Sequence, residues 1–296
     1  MNSPVLLEFP SKRMKRVIET ARNAAASSAT VLLTGERGTG KSVLAAAIHA
    51  WSATRERPFT VISCATLGEQ SFESELLPRL ENAAGGTISL DEIGDLPATI
   101  QMRLAGFLKR RADRVIEPNA ATGGTRIVAA SSRDLEAQAV VGVFRADLLH
   151  LINVVSIRML PLREHPEDLA ALTRHILRSH AALRDCAALE LKPQALAALA
   201  AYGWPGNVRE LVNVLDQAAL VCRGNRIQAE DLPERVRAPA TANALGGYYE
   251  STLPLRAVER QHIESVIAGS ATLEKAASRL GIALTTLWRK RKRYGM

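Results

Sequence analysis

Thr30-Val-Leu-Leu-Thr-Gly-Glu-Arg-Gly-Thr-Gly-Lys-Ser42 decides the architecture of this chain. Residues 35–42 fill every fixed position of the G-x-x-x-x-G-K-[ST] pattern. The apolar run before them predicts a strand. Val43-Leu-Ala-Ala-Ala-Ile48 after them predicts a helix rich in good helix formers. A glycine turn between strand and helix aims backbone N–H groups at phosphate oxygens. Gly35, Glu36, Arg37, Gly38, Thr39, Gly40, Lys41, Ser42 and Val43 are therefore the expected contacts to ATP. Lys41 would reach the β/γ-phosphates, and the Ser42 hydroxyl would join the shell of a Mg²⁺ ion. The bland alternative, a chance match in a glycine turn, does not explain the strand and helix on either side.

Working outward, further strand signals fall at 59–64, 87–90, 126–130 and 154–159, with helical signals between them. This alternation predicts an α/β domain with a parallel sheet over residues 1–165. Gly85-Gly-Thr-Ile-Ser-Leu-Asp-Glu92 reads as a strand ending in two carboxylates. Beside a phosphate loop, Asp91 would hold Mg²⁺ and Glu92 would orient an attacking water. The rival reading is a solvated acidic turn. Ser131-Ser132-Arg133-Asp134 closes the 126–130 strand, where a polar side chain could touch the γ-phosphate or the water. Arg145, in Val143-Phe-Arg-Ala-Asp147, reads two ways. It could reach a neighbouring subunit's γ-phosphate, or it could pair with Asp147 or Glu136 on the surface.

From Glu167 to about Leu232 the signals are only helical, at 167–182, 193–201 and 207–222, so residues 166–236 read as a small bundle. Pro193 suits a first helical turn, and Gly203-Trp-Pro-Gly-Asn-Val-Arg-Glu-Leu211 places Arg209 at a helix start. Residues 237–252, rich in Ala and Gly, read as a linker.

Thr252–Met296 carries nine Lys/Arg against three acids, which concentrates +6 of the chain's +8 in one end. Charge gathered this way implies a polyanionic partner. Thr272 can cap a helix with the apolar stripe Leu273, Ala276, Ala277 and Leu280. Gly281 would end that helix, and Ile282 would pack inward. A second helix from about Thr285 would bury Leu287, Trp288 and Tyr294 and offer Thr285, Thr286, Arg289, Lys290 and Arg293 to double-stranded DNA. The pattern is helix-turn-helix over 253–296; a merely solvated basic helix is the alternative.

No apolar run is long enough for a membrane span, and no secretory signal opens the chain. Cys64, Cys186 and Cys222 lack metal-ligand spacing and suit reduced thiols, so a cytoplasmic location is expected.

Taken together, the phosphate loop, Phe72-Glu-Ser-Glu-Leu76, Gly85–Asp95, Phe144-Arg-Ala-Asp-Leu148, Asn153-Val-Val, Leu160-Pro-Leu-Arg163 and Gly203–Leu211 resemble the bacterial enhancer-binding proteins, the AAA+ activators of sigma-54 RNA polymerase. The basic tail is similar to the family's Fis-type helix-turn-helix, and the whole is closest in pattern to its response-regulator branch. The family's usual receiver domain is absent ahead of the α/β segment, either naturally or because the sequence is a piece of a longer protein. The resemblance implies an α/β AAA+ domain with a helical lid and a C-terminal all-α reader. It also implies ATP with Mg²⁺, RNA polymerase as partner, and homo-oligomers. Catalytic roles would fall to Asp91, Glu92 and Arg145, while Arg209 would report nucleotide state from the lid.

Four departures from the pattern bear on activity. The family's Gly-Ala-Phe-Thr-Gly-Ala loop, which touches sigma-54, has no counterpart between Leu76 and Gly85. Ser63 stands where the family has Asn, as a switch partner for the catalytic Glu. Ser132 stands for Asn after the sensor strand, and Leu151 for a second arginine. The expectation is a DNA-binding regulator with weak or no ATPase, acting as a repressor or with another sigma factor. The alternatives are an ATP-hydrolysing sigma-54 activator, a loader-type ATPase of DNA metabolism, and a structural DNA-binding protein with a dead nucleotide site.

Overall fold

The computed structural model describes residues 9–68, 70–81, 85–115, 125–184, 189–222, 224–237, 255–268, 270 and 272–294. Two compact units divide the chain, Met1–Arg237 and Ala238–Met296. The expected linker, 237–252, lies outside the described residues apart from Arg237.

The first unit begins with α1 (Lys12–Ala25), β1 (Val31–Thr34), α2 (Lys41–Trp51), β2 (Phe59–Ser63) and α3 (Leu77–Glu81). It continues through β3 (Thr87–Asp91), α4 (Ala98–Val115), β4 (Arg126–Ser131), α5 (Leu135–Val140), α6 (Ala146–Ile152) and β5 (Val155–Arg158). The five strands pair in parallel in the order β2-β3-β4-β1-β5. This is the α/β architecture expected from the alternating signals, with each strand within one residue of its expected ends.

Alternation along the strands builds two cores. Leu32, Ile88, Leu90, Ile127 and Ala129 face Ile100, Leu104 and Leu148 of α4 and α6. Val31, Leu33, Val128 and Ala130 face Met14, Ala21, Leu44 and Ile48 of α1 and α2. Successive side chains point to opposite faces, and helices cover both, so β4 is buried at all six positions. The abundant alanines serve close packing: Ala21, Ala24 and Ala25 of α1 and Ala45 and Ala47 of α2 are all buried.

This strand order positions the site. The chain leaves β1 toward one edge of the sheet and leaves β4 toward the other, across β1. The connections diverge and open a crevice at the carboxyl ends of the strands, where open α/β sheets take ligands.

The bundle follows: α7 (Leu169–Arg184), β6 (Glu190–Leu191), α8 (Pro193–Ala201), α9 (Asn207–Val221), β7 (Arg226–Ile227) and α10 (Glu234–Arg237). Its core gathers Leu172, Leu199, Trp204, Leu211, Leu215 and Ile227. Pro193 takes the first turn of α8 as expected. The two-residue parallel ribbon β6–β7 is an addition to the helical reading. Strands this short carry no periodicity to read.

In the second unit, α11 (Leu255–Ala268), α12 (Leu273–Arg279) and α13 (Leu284–Tyr294) enclose Ile263, Ala276, Ala277 and Leu287. The Thr272 hydroxyl accepts from the Lys275 N–H, capping α12. Gly281 adopts φ +65°, and the Ile282 N–H donates to Ala277 O at 3.1 Å. That is the left-handed helix stop the sequence suggested. Trp288 departs from expectation: it is 58% exposed rather than in the core. Leu287 fills the space beneath α13, and the next residue lies about 100° further round the helix.

Candidate functional site

The loop after β1 can only be built with glycine at its bends. A Cβ on Gly35, at φ +137°, would lie 2.5 Å from Met159 O, and one on Gly38, at φ +80°, would lie 2.2 Å from Gly206 O. The Thr39 hydroxyl donates to Glu36 O at 2.9 Å, and Gly40 leads directly into α2. Lys41, only 5% exposed, donates to Gly35 O at 2.8 Å and Glu36 O at 3.0 Å, with Glu92 Oε1 3.7 Å away. Burial lowers the Lys41 pKa; Glu92 and Asp91 oppose this without cancelling it. The Ser42 hydroxyl lies 3.4 Å from Asp91 Oδ2, a donor pair suited to a hard divalent cation. Gly38, Gly40, Lys41, Ser42, Val43, Asp91, Glu92 and Arg209 together line a cleft of about 280 Å³.

Glu92 sits at φ +53°, just past β3. Its Oε2 accepts from the Ser132 N–H at 2.8 Å and the Ser132 hydroxyl at 2.7 Å. Burial pushes the carboxyl up, but Ser132 and Lys41 outweigh burial and hold it below its ordinary range. Ser132, expected near the γ-phosphate or water, therefore engages Glu92 directly. Ser63 ends β2 in register with Asp91. Arg37 is exposed and turns toward Asp95 and the Ser132 hydroxyl.

A clamp that the sequence reading missed joins loop to lid. Asn207, fully buried at φ +53°, accepts from the Leu162 N–H at 2.8 Å through Oδ1. Its Nδ2 donates to Glu36 Oε2 at 3.1 Å and Arg37 O at 3.0 Å. Arg163 grips the Glu36 carboxylate with its two terminal guanidinium nitrogens, which with Asn207 holds that carboxyl below its ordinary range. The Arg209 N–H donates to Gly38 O at 3.2 Å. The one available signal was the Gly206-Asn207 pair at a helix start, since Asn tolerates a left-handed backbone.

Arg145 stands apart from the cleft and forms a two-pronged pair with Asp147, at 2.9 and 2.7 Å. Leu151 packs against the core beneath α6. Cys64 is buried, and its thiol is pushed up to about 12 by burial first and by Asp91, Asp95 and Glu92 after it. It is a packing residue. Cys222 is half-buried, and Cys186 lies outside the described residues. Among the described residues, no cluster could hold a metal through His, Cys, Asp and Glu alone, and no helix is long and apolar enough to cross a membrane.

On α13 the exposed positions are Thr285, Trp288, Arg289, Lys292 and Arg293, spaced as one helical face. Thr286 and Lys290, both expected to face DNA, lie to its side. Thr286 is half-buried, and Lys290 and the Tyr294 hydroxyl both donate to Glu259 of α11. Those bonds hold the Glu259 carboxyl below its ordinary range.

The comparisons with known proteins agree with this construction. The sigma-54 interaction domain matches residues 7–158, the AAA+ ATPase lid domain 163–245, and the bacterial regulatory protein Fis family 254–294. The chain is 39% identical, over 98% of its length and 68% of the relative's, to the alginate biosynthesis transcriptional regulatory protein AlgB of Pseudomonas aeruginosa. NtrX of Brucella abortus, in a crystal structure with ATP, superposes with a TM-score of 0.68 at 28% identity, covering 98% of this chain and 69% of that one. The RuvB Holliday junction branch migration motor of Thermotoga maritima shares the fold alone, with a TM-score of 0.54 at 19% identity over 94% and 84% of the two chains. The chain belongs to the sigma-54 interaction-domain family of AAA+ transcriptional regulators, with a Fis-type DNA-binding module at its C-terminal end.

Proposed function

We propose that this regulator binds ATP with Mg²⁺ in the cleft, and that the nucleotide governs association of several copies, each presenting one DNA reader. The observation that carries the reading is the cleft itself: a buried Lys41, the Ser42–Asp91 pair and Arg209 converge on a single space. Mg²⁺, held by Ser42 and through water by Asp91, would neutralise phosphate charge. Lys41 would exchange its loop carbonyls for β/γ-phosphate oxygens. Glu92 would orient water, and Arg209 would couple phosphate occupancy to the lid.

Hydrolysis is expected to be slow. Leu151 cannot supply a guanidinium, and Arg145 must first leave Asp147 to serve a neighbour. Loss of such an arginine costs about 10³-fold or more. The sequence from Leu76 to Gly85 carries no counterpart of the family's sigma-54-contacting loop, which supports a reading away from sigma-54 activation. The regulator is therefore read as a repressor or as a partner of another sigma factor. A second reading, an ordinary sigma-54 activator with a different contact, draws on the sigma-54 interaction match that runs through this segment.

ATP turnover measured against protein concentration tests the first part. Turnover should stay low and rise little as copies associate; a steep rise to a fast rate would overturn it. ATP-dependent open complexes at a sigma-54 promoter, formed by this chain alone, would favour the second reading.

A further inference from the structure

We propose that Trp288 reads DNA sequence directly, by laying its indole against the 5-methyl group of a thymine in the major groove. The inference rests on the DNA-binding role of the Fis-type module and goes beyond it by assigning base recognition to an uncharged aromatic residue.

Three observations converge on this residue. Trp288 is 58% exposed, and the module's core is filled without it by Ile263, Ala276, Ala277 and Leu287. It occupies the same helical face as Thr285, Arg289, Lys292 and Arg293. The Arg291 guanidinium lies 5.5 Å over the indole ring, which fixes the ring along the helix instead of leaving it free to fold back.

A basic helix face needs no tryptophan to hold phosphate. Phosphate contacts come from charge and hydrogen-bond donors and carry no sequence information. The indole has one N–H donor and no acceptor, and the rest is apolar surface that gains by leaving water. In the major groove the complementary apolar group on a base edge is the thymine methyl. Trp288 sits almost one turn beyond Thr285, about 4.5 Å along the axis, between one and two base-pair steps of about 3.4 Å. Thr285 and Trp288 are thus placed to read neighbouring steps while Arg289, Lys292 and Arg293 grip the flanks.

The test begins by enriching a pool of randomised duplexes on the full chain, so that the protein supplies its own site. Each thymine of the selected duplex is then replaced in turn by deoxyuridine, which removes only the methyl. At one or more of these thymines the wild-type chain should bind roughly fourfold more weakly, the worth of one buried methyl. Trp288→Ala should bind the thymine duplex more weakly and be indifferent to that methyl, with its salt dependence unchanged because no charge is lost. Trp288→Phe should keep part of the methyl response. If Trp288→Ala shows the same uracil penalty as wild type, Trp288 does not read the base. If instead Trp288→Ala sediments as a smaller species and binds all sequences more weakly with unaltered preference, the ring contacts a second copy and the proposal fails. Should the wild-type chain enrich no sequence at all, the DNA-binding reading falls and this inference with it; an intact first reading with an unchanged base preference sinks only the second.

Discussion

The phosphate-loop corner and the basic face of α13 both gather cations, and they are built in opposite ways. At the corner, Lys41 is 5% exposed and already engaged by two backbone carbonyls and Glu92. Its surroundings come from β1, β3, β4 and the lid, segments far apart in the chain. On α13 the cations stand in water on one short helix. Buried charge demands partners, so a corner of this kind is fixed by its whole neighbourhood. Exposed charge is screened and individually weak, so the reader depends on the number and spacing of its cations.

The comparison breaks first at Lys41. Lys41→Ala should weaken ATP binding by about 100-fold, the worth of roughly 3 kcal/mol from charge-assisted contacts. Calorimetry that finds equal affinity for both forms would place the nucleotide elsewhere.

Asn207→Ala probes how far the corner depends on the lid. It removes one acceptor and two donor contacts and leaves the Leu162 N–H and the Glu36 carboxylate short of a partner. A loss of about 2–3 kcal/mol in unfolding free energy is expected, together with weaker ATP binding. If denaturant unfolding is unchanged, the clamp is not holding loop to lid.

On the reader, Lys292→Ala should weaken binding to every sequence and lower the salt slope by about one unit. Lys290→Ala should leave that slope nearly intact, because Lys290 is held by Glu259. Equal slope changes in the two variants would put Lys290 on the DNA after all.

The smallest effect separates pH from salt. His49 is buried against Thr87, and burial lowers its pKa below 6.5. Its stability contribution is therefore full above 6.5 and is lost as pH falls through the lower folded value. Glu36 and Glu92 are depressed below 4.5, so their contributions are lost only in stronger acid. His49→Gln should flatten the upper part of the thermal-stability curve by about 1 kcal/mol or less and leave the acid limb in place. An unchanged curve between pH 7 and 5 would assign that region to other groups.

Much of this was legible in the chain. The strand–loop–helix around Lys41, the acidic end of β3 and the stop at Gly281 are local patterns, in which residue type at fixed spacing dictates the backbone. Apolar runs set between helical signals were enough to place the strands, and the concentrated charge marked the reader. Tertiary structure alone decided that Ser132 would take hold of Glu92 and that Asn207 would tie the phosphate loop to the lid, whereas the Arg145–Asp147 pair was one of the two readings the sequence offered. Tertiary structure also decided which side of α13 faces water. A helical stripe shows that some residues are buried but not which neighbour fills the space: Leu287 took the core, and Trp288, one position on, was left outside. Contacts between residues distant in the chain depend on how rigid elements are stacked, and no local spacing encodes that.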